Sequence, residues 1–342
     1  MKALVHNQAN DFMFQDVPEP EIRAHDVLIE VKAVGICGSD VHGMTGKTGR
    51  RQPPIIMGHE AAGIIKKTGA GVTDYRTGDR VTFDSTIYCN ECSFCRQGKI
   101  NLCDNRRVLG VSCDEYKQDG AMAEYVSVPE HILYKIPDQM TFPQAAMIEA
   151  VSIAFHAVAR SRIQLNQSVA VFGCGIIGLL IIQAAKLAGC GTVWAIDLDQ
   201  KKLEFAKKFG ADFCLNSSAD AEHEIKAKTG NAGADIIFEA VGIQPTITAA
   251  IDAVKKGGTV TLVGNLSPEI TLPLQKVVTQ ELNILGSCAS TGEYQVCIDM
   301  IVQGRIDVDS LISKTVPLSE GREWFNALAA NQGDLFKVVL VP

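Results

Sequence analysis

The sequence predicts an α/β chain in which a β-rich first part is followed by a doubly wound parallel sheet. Three observations predict it. The first part is dense in turn formers, with Gly43, Gly46, Gly49, Pro53, Pro54, Gly69, Gly71 and Gly78 separating short segments. The texture changes near Phe142, where FPQAAMIEAVSIAFHAVARS takes on a helical period rich in helix formers. Beyond it, buried-looking strands alternate with helices, the pattern of βαβ units and a parallel sheet.

Each element follows in order. VLIEVKAVGI (Val27 to Ile36) alternates apolar and polar residues early, as a half-buried strand of an antiparallel domain does. SVAVF is a short buried strand, GCGIIG a glycine turn, IIGLLIIQAAKLAG an apolar helix and TVWAID a second strand. KKLEFAKKFGA reads as a helix, and ADIIFEAVG and GGTVTLVGN as further strands. After Gly286 come a helix in TGEYQVCIDMIVQG and a last apolar strand in FKVVLVP. No internal repeat or low-complexity tract interrupts this.

The 342 residues suggest two domains at roughly 100–200 residues each. A hydrophobic share of 46% and a charged share of 21% are those of a globular chain. The net charge of -7, with no dense Lys/Arg run, argues against nucleic acid and anionic membranes as partners. The start lacks the apolar core of a signal peptide. The longest apolar run, Ile176 to Ile182, is far short of the ~20 residues that span a bilayer. A cytoplasmic location is therefore expected. Eleven cysteines, an odd number, fit a disulfide framework poorly.

Four of them are packed together as Cys89-x2-Cys92-x2-Cys95-x7-Cys103. Two thiolates in a tight turn grip one ion, and a fourth returning after a loop closes a tetrahedron. That donor set suits a structural Zn²⁺ with no open position. An iron–sulfur cluster, two disulfides or reactive thiols are the alternatives.

Gly173-Cys174-Gly175-Ile176-Ile177-Gly178 is G-x-G-x-x-G between a strand and a helix. Gly173 allows the tight turn, Gly175 admits a pyrophosphate against bare backbone, and Gly178 lets helix and strand pack closely. The N–H groups of Ile176, Ile177 and Gly178 open the helix at its positive end. Asp197, nineteen residues after Gly178, can accept hydrogen bonds from ribose hydroxyls and would repel a 2′-phosphate, so NAD is expected over NADP. Lys202 is placed to reach the same ribose. Asp197 could instead cap the next helix, for which Asp199 is the better candidate.

Two further stretches, GICGSDVH (Gly35 to His42) and GHE (Gly58 to Glu60), carry a second ligand set. Cys37 is a soft ligand and His59 a borderline one; Glu60 and the distant Glu149 offer oxygens. Three protein ligands and an open place are what a catalytic zinc requires. Singly, each is more often structural.

With GICGSDVH, GHEAAG, GDRV, the Cys89–Cys103 lobe, DGAMAEY, IEAVSIAFHA, GCGIIG and AIDLD in order, the whole chain resembles the zinc-dependent medium-chain dehydrogenases. The likeness is to the polyol branch, which includes sorbitol, galactitol-phosphate and butanediol dehydrogenases. The resemblance implies a GroES-like catalytic domain (1–151 and 288–342, with the structural-zinc lobe at 89–103) and a Rossmann domain (152–287). It implies one catalytic and one structural zinc per chain, the former on Cys37, His59 and a carboxylate. Glu149 stands where liver-type alcohol dehydrogenases have a third cysteine, and Glu60 ligates directly in some states. Asp40 is then expected behind His59, with Ser39 and His42 as a proton relay. Hydride transfer between a secondary alcohol and NAD is the implied reaction, in a homodimer or homotetramer.

Departures bear on substrate. Glu149-Ala150 stands where polyol dehydrogenases commonly read Glu-Pro. Ala289-Ser290 replaces an Arg-Tyr pair of sorbitol dehydrogenases, which places sorbitol itself in doubt. Butanediol, threonine and cyclitol dehydrogenases are the rival enzymes; a non-catalytic NAD-binding protein is the rival of another class. For a phosphorylated polyol, Arg50 and Arg51 are candidate cations, or else a solvated loop.

Overall fold

A computed structural model describes residues 1–46, 48–217, 220–330 and 335–342. The chain divides into two compact units, Met1–Glu149 with Thr291–Pro342, and Ala150–Ser290.

In the first unit the strand Asp26–Gly35 is central. It pairs antiparallel with Glu60–Thr68 on one side and Tyr125–Pro129 on the other. Beyond Glu60–Thr68 lie Arg80–Phe83 and Leu133–Lys135. The C-terminal strand Lys337–Val341 joins the far end of the central strand, pairing Val339 with Gly35, and carries Ile312–Pro317 alongside it. Ile29, Val31, Ile65, Val81 and Phe83 form part of its buried core, each at most 2% exposed.

These registers decide what meets at one end of the sheet. Gly35 lies opposite both Glu60 and Val339. The residues following Gly35, those preceding Glu60 and the start of the last strand therefore converge, although more than 270 residues of chain separate Glu60 from Lys337. The short helix Gly38–Gly43 starts directly after Cys37. Helix Phe142–Ala146 opens with a capping box, in which the Thr141 hydroxyl accepts from Gln144 N–H and the Gln144 side chain accepts from Thr141 N–H. Helix Ile148–Ser161 follows and places Glu149 in its first turn.

The second unit is a six-stranded parallel sheet. Its spatial order is Phe213–Leu215, Val193–Ile196, Val169–Phe172, Ala234–Glu239, Val254–Leu262 and Asn283–Gly286. The first strand in the sequence lies in the middle and the chain winds outward both ways from it, so the carboxyl ends of Val169–Phe172 and Ala234–Glu239 flank the switch point. Val169 to Phe172 are all fully buried, which explains their continuous apolar run. The strands expected from VAVF, VWAI, ADIIFE and GTVTL are present. Phe213–Leu215 and Asn283–Gly286, at three and four residues, are edge strands that the sequence pattern did not mark.

Candidate metal centres and dinucleotide site

The glycine turn joins strand Val169–Phe172 to helix Ile176–Leu187. A Cβ on Gly178 would lie 1.8 Å from the Gly173 carbonyl oxygen, so only hydrogen lets the helix seat against the turn. A Cβ on Gly175 would meet no atom within 4 Å. The space before the helix N-terminus is therefore open, as a phosphate held by backbone N–H groups requires. Asp197 follows the neighbouring strand. Its Oδ2 accepts from Cys174 N–H at 2.7 Å and its Oδ1 from Asp199 N–H at 2.9 Å, so the carboxylate braces the glycine turn as well as facing it. Asp199 is the helix cap, accepting from Lys201 and Lys202 N–H. Lys202 Nζ lies 3.9 Å from the Asp199 carboxylate.

The four thiols of the Cys89–Cys103 lobe lie within 4.8 Å of one another. Two Sγ–Sγ separations, Cys89–Cys103 and Cys89–Cys95, are 3.5 and 4.0 Å. Sulfurs each about 2.3 Å from a central ion at the corners of a tetrahedron would lie about 3.8 Å apart, so the donors fit zinc. Backbone N–H groups point at the sulfurs: Cys92 N donates to Cys89 Sγ at 3.4 Å and Cys95 N to Cys92 Sγ at 3.5 Å. The N–H groups of Glu91 and Cys92 hold the Cys89 thiol down, to about 6. Burial and the neighbouring thiols of Cys92 and Cys103 push Cys95 up to about 12. Crowded thiols that cannot all ionise together are what a dication relieves.

Cys37, His59 and Glu60 form the second cluster, their ligand atoms again within 4.8 Å. Glu149 is outside that set, although it stays electrostatically coupled to His59 and Glu60. Burial pushes its carboxyl up to about 7, opposed by His59 and reinforced by Glu60. Ser85 Oγ donates to Glu149 Oε1 at 3.3 Å. Asp40 is fully buried, and its Oδ2 lies 3.5 Å from His59 Nδ1. Neither atom has a hydrogen-bond partner. Burial would raise the Asp40 carboxyl, but the His59 imidazole and the Arg51 guanidinium outweigh it and hold it below the usual carboxylate range. Burial lowers His59, whereas Asp40 and Cys37 raise it and prevail. The surroundings thus favour positive charge where the imidazole sits, which a bound cation supplies, and Nε2 is the ring nitrogen left for it.

Ser39 and His42 lie on helix Gly38–Gly43, both exposed and three residues apart, hence on one face. Ser39 Oγ donates to Cys37 Sγ at 3.3 Å. Two members of this site were missed in the sequence. Lys337, 3% exposed, donates from Nζ to Glu60 Oε2 at 2.5 Å and to the Ile36 carbonyl at 3.2 Å. A lysine opening the otherwise apolar strand FKVVLV was the available signal. Arg51, read as a substrate cation or a solvated residue, is neither: it is 5% exposed and its guanidinium is committed to Asp40. Arg50 is exposed.

Residues 23–138 match the alcohol dehydrogenase GroES-like domain family and residues 177–303 the zinc-binding dehydrogenase family. D-xylulose reductase A of Aspergillus oryzae is 36% identical over 94% of the chain and 91% of its own length. The chain belongs to the zinc-binding medium-chain dehydrogenases. Sorbitol dehydrogenase of Bacillus subtilis is 33% identical over 100% of this chain and 97% of its own. A zinc-binding dehydrogenase of Sinorhizobium meliloti bound to NADP superimposes with a TM-score of 0.89 at 30% identity, covering 100% and 99% of the two chains. The present dehydrogenase is thus an oxidoreductase that works with zinc and a nicotinamide dinucleotide. Among its described residues no helix is long and apolar enough to cross a membrane.

Proposed function

We propose that this dehydrogenase oxidises a secondary hydroxyl of a polyol, or reduces the corresponding ketose, with NAD. Cys37, His59 and Glu60 hold the catalytic zinc, and Cys89, Cys92, Cys95 and Cys103 the structural one. The observation that carries the reading is the gathering of Cys37, His59 and Glu60 into a mixed sulfur, nitrogen and oxygen donor set separate from the thiolate lobe. Three ligands leave a position open; four thiolates leave none. Both relatives named above by a substrate act on polyols or their ketoses, which supports that class.

When bound, zinc supplies a Lewis acid that makes a hydroxyl more acidic, and the nicotinamide supplies the hydride acceptor. The chain does the rest. Asp40 places a carboxylate oxygen 3.5 Å from His59 Nδ1, behind the ring, where it favours Nε2 as the nitrogen left for a metal. Ser39 Oγ would accept the substrate's hydroxyl proton while giving up its own, and His42 on the same exposed helix face would pass a proton on to solvent. Glu149 stands beside His59 and Glu60, its carboxyl pushed up by burial and by the Glu60 charge and opposed by His59. Gly175 and the start of helix Ile176–Leu187 receive the pyrophosphate; Asp197 faces the ribose and disfavours a 2′-phosphate. The subunits are expected to associate as homodimers or homotetramers in the cytoplasm.

A panel of sugar alcohols, diols and sugar-alcohol phosphates, assayed by absorbance of the reduced cofactor alongside metal analysis, tests this. Two zinc ions per chain and turnover of a polyol with NAD are expected. One zinc ion, or no turnover of any polyol, would overturn the reading.

A further inference from the structure

We propose that Arg51 is a positioning residue for the Cys37–His59–Glu60 centre, holding Asp40, and through it the His59 ring, while also orienting the Ser39 hydroxyl. The inference rests on reading that cluster as a metal centre. Arg51 places two donors on one carboxylate oxygen: Nε at 3.0 Å and Nη2 at 2.8 Å from Asp40 Oδ1. That leaves Oδ2 as the oxygen 3.5 Å from His59 Nδ1. Nη2 also donates to Ser39 Oγ at 3.4 Å, and Nη1 to the Arg50 carbonyl at 3.0 Å. Every guanidinium nitrogen is occupied. A single planar group thus touches both the residue behind the histidine and the hydroxyl of the expected relay.

The side chain has a built place. A Cβ on Gly43 would fall 2.3 Å from Arg51 Cγ and 3.2 Å from its Cβ, so the helix that carries Ser39 and Asp40 leaves room for the arginine stem only because residue 43 is glycine. The backbone is anchored on both flanks: Ser112 N–H donates to the Arg50 carbonyl at 3.2 Å and Gln52 N–H to the Ser112 carbonyl at 3.0 Å. A segment rich in Arg, Gly and Pro is in this way fixed against the core. The fork geometry matters, because a lysine ammonium, a point charge without a planar fork, cannot reproduce two bonds to one oxygen together with a third to Ser39.

The alternative is that Arg51 only neutralises a buried carboxylate, and the test separates the two. Wild type, Arg51→Lys and Arg51→Gln are loaded with Co²⁺, and visible absorption, Co²⁺ affinity, kcat, KM and thermal unfolding are recorded. Bands of the Cys37–His59–Glu60 centre are assigned by their loss in His59→Ala. We expect Arg51→Gln to weaken Co²⁺ at this centre about 10–100-fold, as loss of a residue behind a ligand does, to alter its bands, and to lower kcat. Arg51→Lys, which keeps the charge, should recover the unfolding temperature but neither the bands nor kcat. Wild-type bands and affinity in Arg51→Gln, with only a lower unfolding temperature, would overturn the inference. So would full recovery by Arg51→Lys. If Arg51→Gln fails to fold, the lysine variant alone decides between these outcomes. Wild type that takes up Co²⁺ without any band lost in His59→Ala would instead overturn the metal-centre reading, and the inference with it.

Discussion

The thiolate lobe and the Cys37–His59–Glu60 centre both gather metal-ligating side chains within 4.8 Å of one another, by opposite means. The lobe is built within fifteen residues, from Cys89 to Cys103, on a short helix and a 3₁₀ turn, and its own backbone N–H groups bond the sulfurs. The centre draws on residues near 37 and 59 and on counter-charges at Arg51 and Lys337. Its carboxylates are buried and are balanced by cations, Lys337 on Glu60 and Arg51 on Asp40. On the reading proposed above, a closed set of four thiolates has no need of that support, because it would fill the coordination of a tetrahedral ion. A site that keeps one position open has fewer ligands and must be stiffened from behind.

The comparison breaks first at His59. With His59→Ala the catalytic ion loses its nitrogen ligand, and kcat/KM should fall by about 10³-fold or more, several kcal/mol of transition-state stabilisation. Zinc content should drop by one ion per chain while the lobe keeps its own. An active His59→Ala enzyme with one zinc ion would remove the difference between the two sites. Cys92→Ser is the reciprocal change. It opens the closed shell, and we expect about 3 kcal/mol of lost stability and an unfolding temperature roughly 5–10 °C lower. Activity per folded molecule should change far less than stability. Calorimetry beside active-site titration checks this, and a Cys92→Ser enzyme that is fully stable but inactive would invert the roles assigned here.

How much could be read from the chain follows the same divide. The cysteine lobe and the glycine turn were legible because their donors are neighbours in sequence, so spacing alone encodes geometry. The strands that carry them were legible too, since Val169–Phe172 and Val193–Ile196 are buried on both faces and read as apolar runs. The supports of the open centre were not legible. Lys337 meets Glu60 only because Val339 pairs with Gly35 and Gly35 with Glu60, and no local pattern announces a register across 277 residues. Arg51 sits in a stretch without apolar periodicity, and its burial depends on the clearance at Gly43, which a sequence does not display. Glu149 was named with the ligands, yet the geometry gathers Glu60 with Cys37 and His59 and leaves Glu149 at the margin.

Lys337→Met sharpens the comparison at the next level of effect. It leaves Glu60 buried without its cation, so the carboxylate must bind the metal more strongly or take up a proton. Either outcome changes the ligand field, and kcat should fall about 10–100-fold with both zinc ions retained. A Cys92→Ser, Lys337→Met double variant should show additive effects, because the lobe's sulfurs bond the lobe's own backbone while Lys337 bonds Glu60. Coupling of more than about 0.5 kcal/mol between them would show that the two are not independent.

The smallest effect is expected at Asp197, which falls between the two extremes. Like the lobe it belongs to a local motif; like the open centre it reaches across 23 residues, to the Cys174 N–H. Its carboxylate does two things, repelling a 2′-phosphate and bracing the glycine turn, and two substitutions separate them. Asp197→Asn keeps an oxygen acceptor for the turn but removes the charge, so NADP should gain against NAD by about tenfold in kcat/KM, some 1.4 kcal/mol, with NAD kinetics little changed. Asp197→Ala removes the brace as well, so the KM for NAD should rise while the shift toward NADP is the same or larger. If both variants lose NAD affinity equally and neither gains NADP, bracing is the whole role of Asp197. Cofactor choice would then depend on other groups around the ribose, and the preference for NAD would have to be read, as the open centre was, from contacts that only the folded chain assembles.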